Sequence, residues 1–183
     1  MPSKSIPEPW QSFLSDIDAT FAEDVELHCL GGFVITVLYD LARPTADMDV
    51  IAITPRSEIE SLMSLAGQGS DLHRKHKVHL QLVGVATVPD SYEERLTEIF
   101  PGEFKHLRLF ALDPYDLALS KIERNTQRDR DDVKHLARIV PLDLHVLRER
   151  YQTELRPDLG NPEREDLTLK LWIEVIEEER QSG

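Results

Sequence analysis

Apolar positions along the first part of the chain change period several times. Trp10, Phe13, Leu14, Ile17 and Phe21 recur at helical spacing and predict an amphipathic helix over residues 8–22. Val25 to Leu30 alternates apolar and polar residues and predicts a strand that runs into Gly31-Gly32. Phe33 to Leu41 is almost continuously apolar. Its β-branched residues suit a strand, but a glycine pair at one end and Tyr39-Asp40 near the other suit a buried helix, which is the reading adopted. Met48 to Thr54 predicts a strand stopped by Pro55, and Ser57 to Ala66 a helix with Ile59, Leu62, Met63 and Leu65 apolar. Val78 to Val85 reads as a strand, Tyr92 to Ile99 as a short helix, and Leu107 to Leu112 as a further strand.

Beyond that point the pattern is helical. Asp113-Pro114 is a helix start, an acid at the cap followed by proline in the first turn, and predicts a helix to about Arg124. Asn125-Thr126-Gln127 interrupts it. Helices are expected over Arg128–Val140 and Asp143–Leu155. A Pro- and Gly-containing linker follows over Arg156–Pro162, then an acidic helix over Glu163–Glu179, with Leu167, Leu171, Trp172, Val175 and Ile176 on one side. The expected fold class is α/β (α+β): a mixed sheet with helices in residues 1–112, a helical part in 113–156, and a linker with an acidic helix in 157–183.

Composition narrows the function classes. The 183 residues are 40% hydrophobic, enough for a core, and 30% charged with a net charge of −13. That balance argues against bulk, non-specific nucleic-acid binding. The charge is uneven. Residues 157–183 carry eight acids against three bases, a net −5, whereas Lys121–Arg138 carries six bases against four acids, a net +2. A single cysteine, Cys29, supports neither a disulfide nor a cysteine-rich zinc site. No apolar run is long enough for a bilayer and the N-terminus has no signal-like apolar core, so the expected location is cytoplasmic.

Candidate chemistry lies in GGFVITVLYDLARPTADMDV, residues 31–50. Asp47 and Asp49 begin a predicted strand, so their side chains share a face roughly 6.5–7 Å apart. Carboxylates at that separation repel unless exposed or paired, and they can share Mg²⁺ or Mn²⁺ ions, which neutralise phosphate and activate an attacking oxygen. Gly31 and Gly32 fall at a strand-to-helix turn, where backbone N–H groups can approach phosphate. Thr45 adds a hydroxyl and Arg43 a positive charge. Each half of the pattern has a plain alternative: a glycine pair marks a turn, and Asp-x-Asp a solvated strand start.

Taken together, strand, Gly-Gly, helix and Arg-x-Thr-x-Asp-x-Asp opening the next strand resemble the nucleotidyltransferase superfamily, and in particular AbiEii-type nucleotidyltransferases with the MenT-like toxins. A second block of that family, a helical lysine followed by Arg-Asp-x-x-Asp, is matched by Lys121 and by Arg128 to Val133. The resemblance implies Asp47 and Asp49 as metal ligands and Gly31, Gly32, Arg43, Thr45 and Arg128 as nucleotide contacts. It implies that Lys121 offsets triphosphate charge, and that Asp129 or Asp132 serves as base or orients the lysine. It also implies transfer of a nucleoside monophosphate from an NTP to an acceptor such as RNA, releasing pyrophosphate. Other nucleotidyltransferases place a third carboxylate on the next core strand. Here that strand offers only His79 and Gln81 on the face opposite Val78, Leu80 and Leu82.

That departure leaves a second reading, a weak or inactive binding module in a toxin–antitoxin or phage-defence pair, with the acidic C-terminal helix docking on a protein partner. His73, His76 and His79 share a zinc-ligand-like spacing of three, but their stretch crosses a predicted loop-to-strand boundary where that spacing is not expected to converge. The same basic HRKHK run could instead meet an RNA backbone.

Overall fold

A computed structural model describes residues 4–83 and 87–183. The described residues divide into two compact units. One holds the chain before residue 84 together with Leu96–Ala111; the other holds residues 87–95 and Leu112–Gly183. Residues 87–95, read from sequence as part of the sheet-bearing core, are thus grouped with the C-terminal helices.

The first unit is built on a five-stranded mixed sheet: β1 (Val25–Leu30), β2 (Asp47–Thr54), β3 (His79–Leu82), β4 (Thr97–Ile99) and β5 (Leu107–Ala111), in the order β3-β2-β1-β5-β4. β1 is central, antiparallel to β2 and parallel to β5, while β2–β3 is parallel and β4–β5 antiparallel. Its centrality explains why Leu27, Cys29 and Leu30 are buried on both faces, His28 with them. A bulge falls between His28 and Cys29 where β1 pairs β2. Helix α1 (Trp10–Asp18) buries Trp10, Phe13, Leu14 and Ile17, as its periodicity predicts. At its end, the Asp18 carboxylate accepts backbone N–H groups of Lys105, His106 and Leu107 at 3.0, 2.7 and 2.8 Å, which fixes the start of β5.

Helix α2 (Gly31–Tyr39) leaves β1 without a loop and buries Phe33, Val34, Ile35 and Val37, so the helical reading of the apolar run holds. It ends at Asp40 in the left-handed region. A 3-10 turn (Arg56–Glu58) leads into α3 (Ile59–Ala66), and α3 is followed by α4 (Asp71–His76).

Helix α4 corrects one expectation. HRKHK is helical rather than a loop, because Ser70 accepts the His73 N–H and caps it (3.1 Å), and Lys77 at φ 63° closes it. A second correction concerns Tyr92–Ile99. It is not one helix but a 3-10 turn (Tyr92–Arg95) followed by edge strand β4, whose three residues gain order by pairing with β5. Val85, the expected end of the third strand, lies outside the described residues.

The second unit contains α5 (Pro114–Leu119), α6 (Gln127–Ile139), α7 (Leu144–Arg150) and α8 (Pro162–Ser182). Asp113 caps α5 as predicted, but α5 stops at Leu119 and the chain turns through Arg124. A buried ion network ties the unit together. Asp116, fully buried, receives Arg95 Nε at 2.9 Å and Arg150 Nη1 at 3.0 Å; Arg150 also meets Asp113, and Arg95 meets Glu154. Burial pushes the Asp116 carboxyl up, against the pull of Arg95. Beyond α7, Tyr151–Leu155 widens into a π turn. α8 packs on α6, and Arg138 grips Glu179 through two hydrogen bonds. Its buried face is Glu165, Leu169, Trp172, Ile173 and Ile176; Leu167 and Leu171, expected on that side, are 58% and 50% exposed. Among the described residues no helix is long and apolar enough to cross a membrane.

Candidate active site

Strand β2 opens with the two aspartates. Met48 and Val50 point into the core, leaving Asp47 and Asp49 half-buried on the other face. Asp49 pairs in register with Leu30 of β1, the residue before Gly31. That pairing brings the Asp49 carboxylate against the first turn of α2. Gly31 has φ +76°, and a Cβ placed there would lie 2.4 Å from Asp49 Oδ2 and 3.2 Å from its Cγ. Glycine is therefore required twice, for its backbone angle and for the space the carboxylate occupies. A negative group at a helix N-terminus is electrostatically favoured. This is part of how the fold tolerates two neighbouring acids.

Thr45 holds the other aspartate. Its hydroxyl donates to Asp47 Oδ1 at 2.9 Å, with the Asp47 carbonyl at 3.0 Å. Arg43 is half-exposed just upstream, where its carbonyl accepts the Thr36 hydroxyl at 3.2 Å, and Gly32 is the half-exposed second residue of α2.

On the other side of β2, β3 sets His79 opposite Asp47 and Gln81 opposite Asp49. No carboxylate stands there, as the sequence indicates. The histidine spacing, however, does converge in part: the His73 and His79 rings lie 4.7 Å apart, because α4 turns His73 back toward β3. His73 Nδ1 accepts the Gly69 N–H at 2.8 Å. His76 does not join them; its Nε2 meets Asp16 at 2.7 Å. Burial, and then the neighbouring His73, push the His79 imidazole below its ordinary value, with Asp47 pulling the other way. His79 Nδ1 is buried without a hydrogen-bond partner. Among the described residues no group of three His, Cys, Asp or Glu side chains is gathered closely enough to hold a metal ion. The Asp47–Asp49 pair, two oxygen-donor groups on one face, fits a hard divalent cation in donor chemistry.

In the second unit, Lys121 lies in the turn after α5 and is only 4% exposed. Its Nζ is 2.8 Å from Asp132 Oδ2 and 3.6 Å from Asp129 Oδ1. The two acids one turn apart differ sharply. Asp129 receives Arg124 Nε and Nη2 at 2.9 and 2.6 Å, and the Thr126 N–H and hydroxyl at 2.9 and 2.7 Å, in a reciprocal capping box at the start of α6. Burial would raise its carboxyl, but these bonds and Lys121 hold it well below the usual carboxylate range. Asp129 thus builds α6 as well as facing the lysine, and Asp132 is the nearer of the two acids. Arg128 is exposed. The Thr126-x-x-Asp129 spacing is a cap signal visible in the sequence, and the Arg124 clamp on it is not.

The site is thus a glycine-started helix between two strands, the second opening with paired aspartates. The chain matches the family model described as "Nucleotidyltransferase of unknown function (DUF6036)" over residues 12–180, and it belongs to that family. Comparison with curated proteins gives no match, and comparison with solved structures gives none either.

Proposed function

We propose that the protein is a metal-dependent nucleotidyltransferase that moves a nucleoside monophosphate from an NTP to an acceptor, with RNA as the first acceptor to test. The observation that carries this reading is the placement of Asp47 and Asp49 on one face of β2, with Gly31 stripped of a side chain where the Asp49 carboxylate meets α2. The sequence resemblance to AbiEii-type and MenT-like nucleotidyltransferases belongs to the same reading.

Asp47 and Asp49 would hold Mg²⁺ or Mn²⁺. Such an ion, when bound, neutralises phosphate charge and lowers the barrier at the α-phosphorus. The chain's own residues do the rest. Thr45 keeps Asp47 in position. Gly31 and Gly32 present backbone at the start of α2, and Arg43 adds positive charge for the nucleotide. An acceptor oxygen forms a bond to the α-phosphorus, the bond to pyrophosphate breaks, and the acceptor proton leaves to solvent or a nearby base.

A second reading, a binding module in a toxin–antitoxin or phage-defence pair, is favoured by β3 carrying His79 and Gln81 instead of an acid. It is also favoured by Leu167 and Leu171 standing exposed on the acidic helix, where a protein partner would dock. Incubation with each labelled NTP, Mg²⁺ or Mn²⁺ and total RNA separates the two. Label transfer that Asp47→Asn abolishes supports the enzyme. No transfer and no nucleotide binding under any of these conditions sinks it.

A further inference from the structure

The outer side of α8 carries apolar residues that its own unit does not cover. Leu167 and Leu171 are 58% and 50% exposed, although Trp172, Ile173 and Ile176 beside them are buried. Glu174 and Glu178, exposed as well, continue that side at helical spacing. Val175, one turn beyond Leu171, joins the strip to a recess of about 120 Å³ between α6 and α8. Gln127, Arg130, Val133, Lys134 and Trp172 complete its lining. A dry cavity of about 150 Å³ holds a benzene molecule, so this recess has room for one branched aliphatic side chain. Neither cation on its rim is bonded to a carboxylate among the described residues. Arg130 donates to the Asn125 carbonyl and to Gln127 Oε1, at 2.6 and 3.2 Å. Glu179, the acid close to Lys134, is gripped by Arg138 instead.

We propose that this face docks a second copy of the chain, in a two-fold pair with Leu171 of each copy seated in the recess of the other. Charge complementarity selects that occupant. Glu174 and Glu178 are four residues apart on one helix, as Arg130 and Lys134 are on another, so both pairs are spaced about 6 Å along their axes. A two-fold operation presents the acids of one copy to the cations of the other, and does so twice. The net charge of −13 on each copy opposes association, but at physiological ionic strength it is screened beyond about 8 Å, so the local match decides. The inference is independent of the reading of Asp47 and Asp49.

Sedimentation velocity of the full chain over a range of concentrations is the test. The mass should rise from the 21.0 kDa of one chain to twice that value. Leu171→Lys should weaken association by at least about tenfold. Arg130→Glu with Lys134→Glu, and separately Glu174→Lys with Glu178→Lys, should each leave a monomer. Mixed in equal amounts, the two charge-reversed chains should pair again, since every contact is then between opposite signs. A chain that stays at 21.0 kDa at the highest concentration overturns the proposal and leaves the strip to a different partner. A dimer that survives Leu171→Lys and both charge reversals overturns it too, because it forms elsewhere. So do charge-reversed chains that are folded by circular dichroism and fail to pair when mixed. The first measurement is on the unmutated chain, so a variant that fails to fold does not remove the test.

Discussion

Replacing Gly31 with alanine tests whether the glycine exists to admit the Asp49 carboxylate. Two costs follow from the structure. At φ +76° an L-residue is held in left-handed backbone, a penalty of about 1–2 kcal/mol. The new Cβ would also lie 2.4 Å from Asp49 Oδ2 and 3.2 Å from Cγ, an overlap of the kind that costs about 1–3 kcal/mol. A total near 3 kcal/mol lowers the melting temperature by roughly 6–12 °C in a chain of this size. Trp10 is buried in the α/β unit, so in a Trp172→Phe background its fluorescence reports that unit alone. Asp49→Ala separates the two costs, because it deletes Oδ2 and Cγ and leaves its own Cβ at 3.4 Å, ordinary contact. In a double-mutant cycle the pair should show a coupling of about 1–2 kcal/mol, with the backbone cost persisting. A cycle with no coupling, or a Gly31→Ala variant as stable as its parent, refutes the argument.

Other outcomes follow from the same geometry. Asp47→Asn should abolish label transfer from NTP while apo melting stays unchanged or rises slightly, since it removes one of two neighbouring negative charges; full transfer by the variant would end the metal-site reading. NTP with Mn²⁺ should stabilise the parent by about 2.7 kcal/mol at a hundredfold excess over Kd, and Asp47→Asn should lose that shift in a thermal melt. Lys121→Ala removes the 2.8 Å ion pair with buried Asp132 and should lower the midpoint of urea denaturation; Lys121→Met with Asp132→Leu should recover much of the loss, and an unaffected single variant would show the pair to be idle. The Asp129 carboxyl is depressed in the folded state, so its contribution is complete above the unfolded value near 3.9 and is lost as pH falls toward the folded one. Urea midpoints at pH 7, 5 and 3.5 should therefore fall mainly below about pH 4, and Asp129→Asn, weaker at pH 7, should show a flatter decline; equal slopes would contradict the capping-box account.

Local pattern alone determined much of this protein. Helical spacing from Trp10 to Ile17, alternation from Val25, the Asp113-Pro114 cap and the Gly-Gly to Asp-x-Asp block each depend on residues close in sequence. The α2 helix, with its uniform apolar run, was legible through its glycine start. What sequence left undecided depended on distant partners. β4 exists because β5 offers a ladder to three residues that had no pattern of their own. α4 brings His73 onto His79 through a cap at Ser70 whose consequence appears only once β3 lies beside it. The different surroundings of Asp129 and Asp132 come from Arg124, which reaches back to Asp129 while both acids face Lys121. The buried face of α8 was set by which side α6 covers, so Leu167 and Leu171, apolar and helically spaced, stand in solvent. The sequence alone determined the Gly-Gly to Asp-x-Asp order and the lack of an acid on β3, because both are matters of residue type and spacing. Only the tertiary structure decided that His79 fills that place opposite Asp47, because lateral neighbours across a sheet are a matter of register.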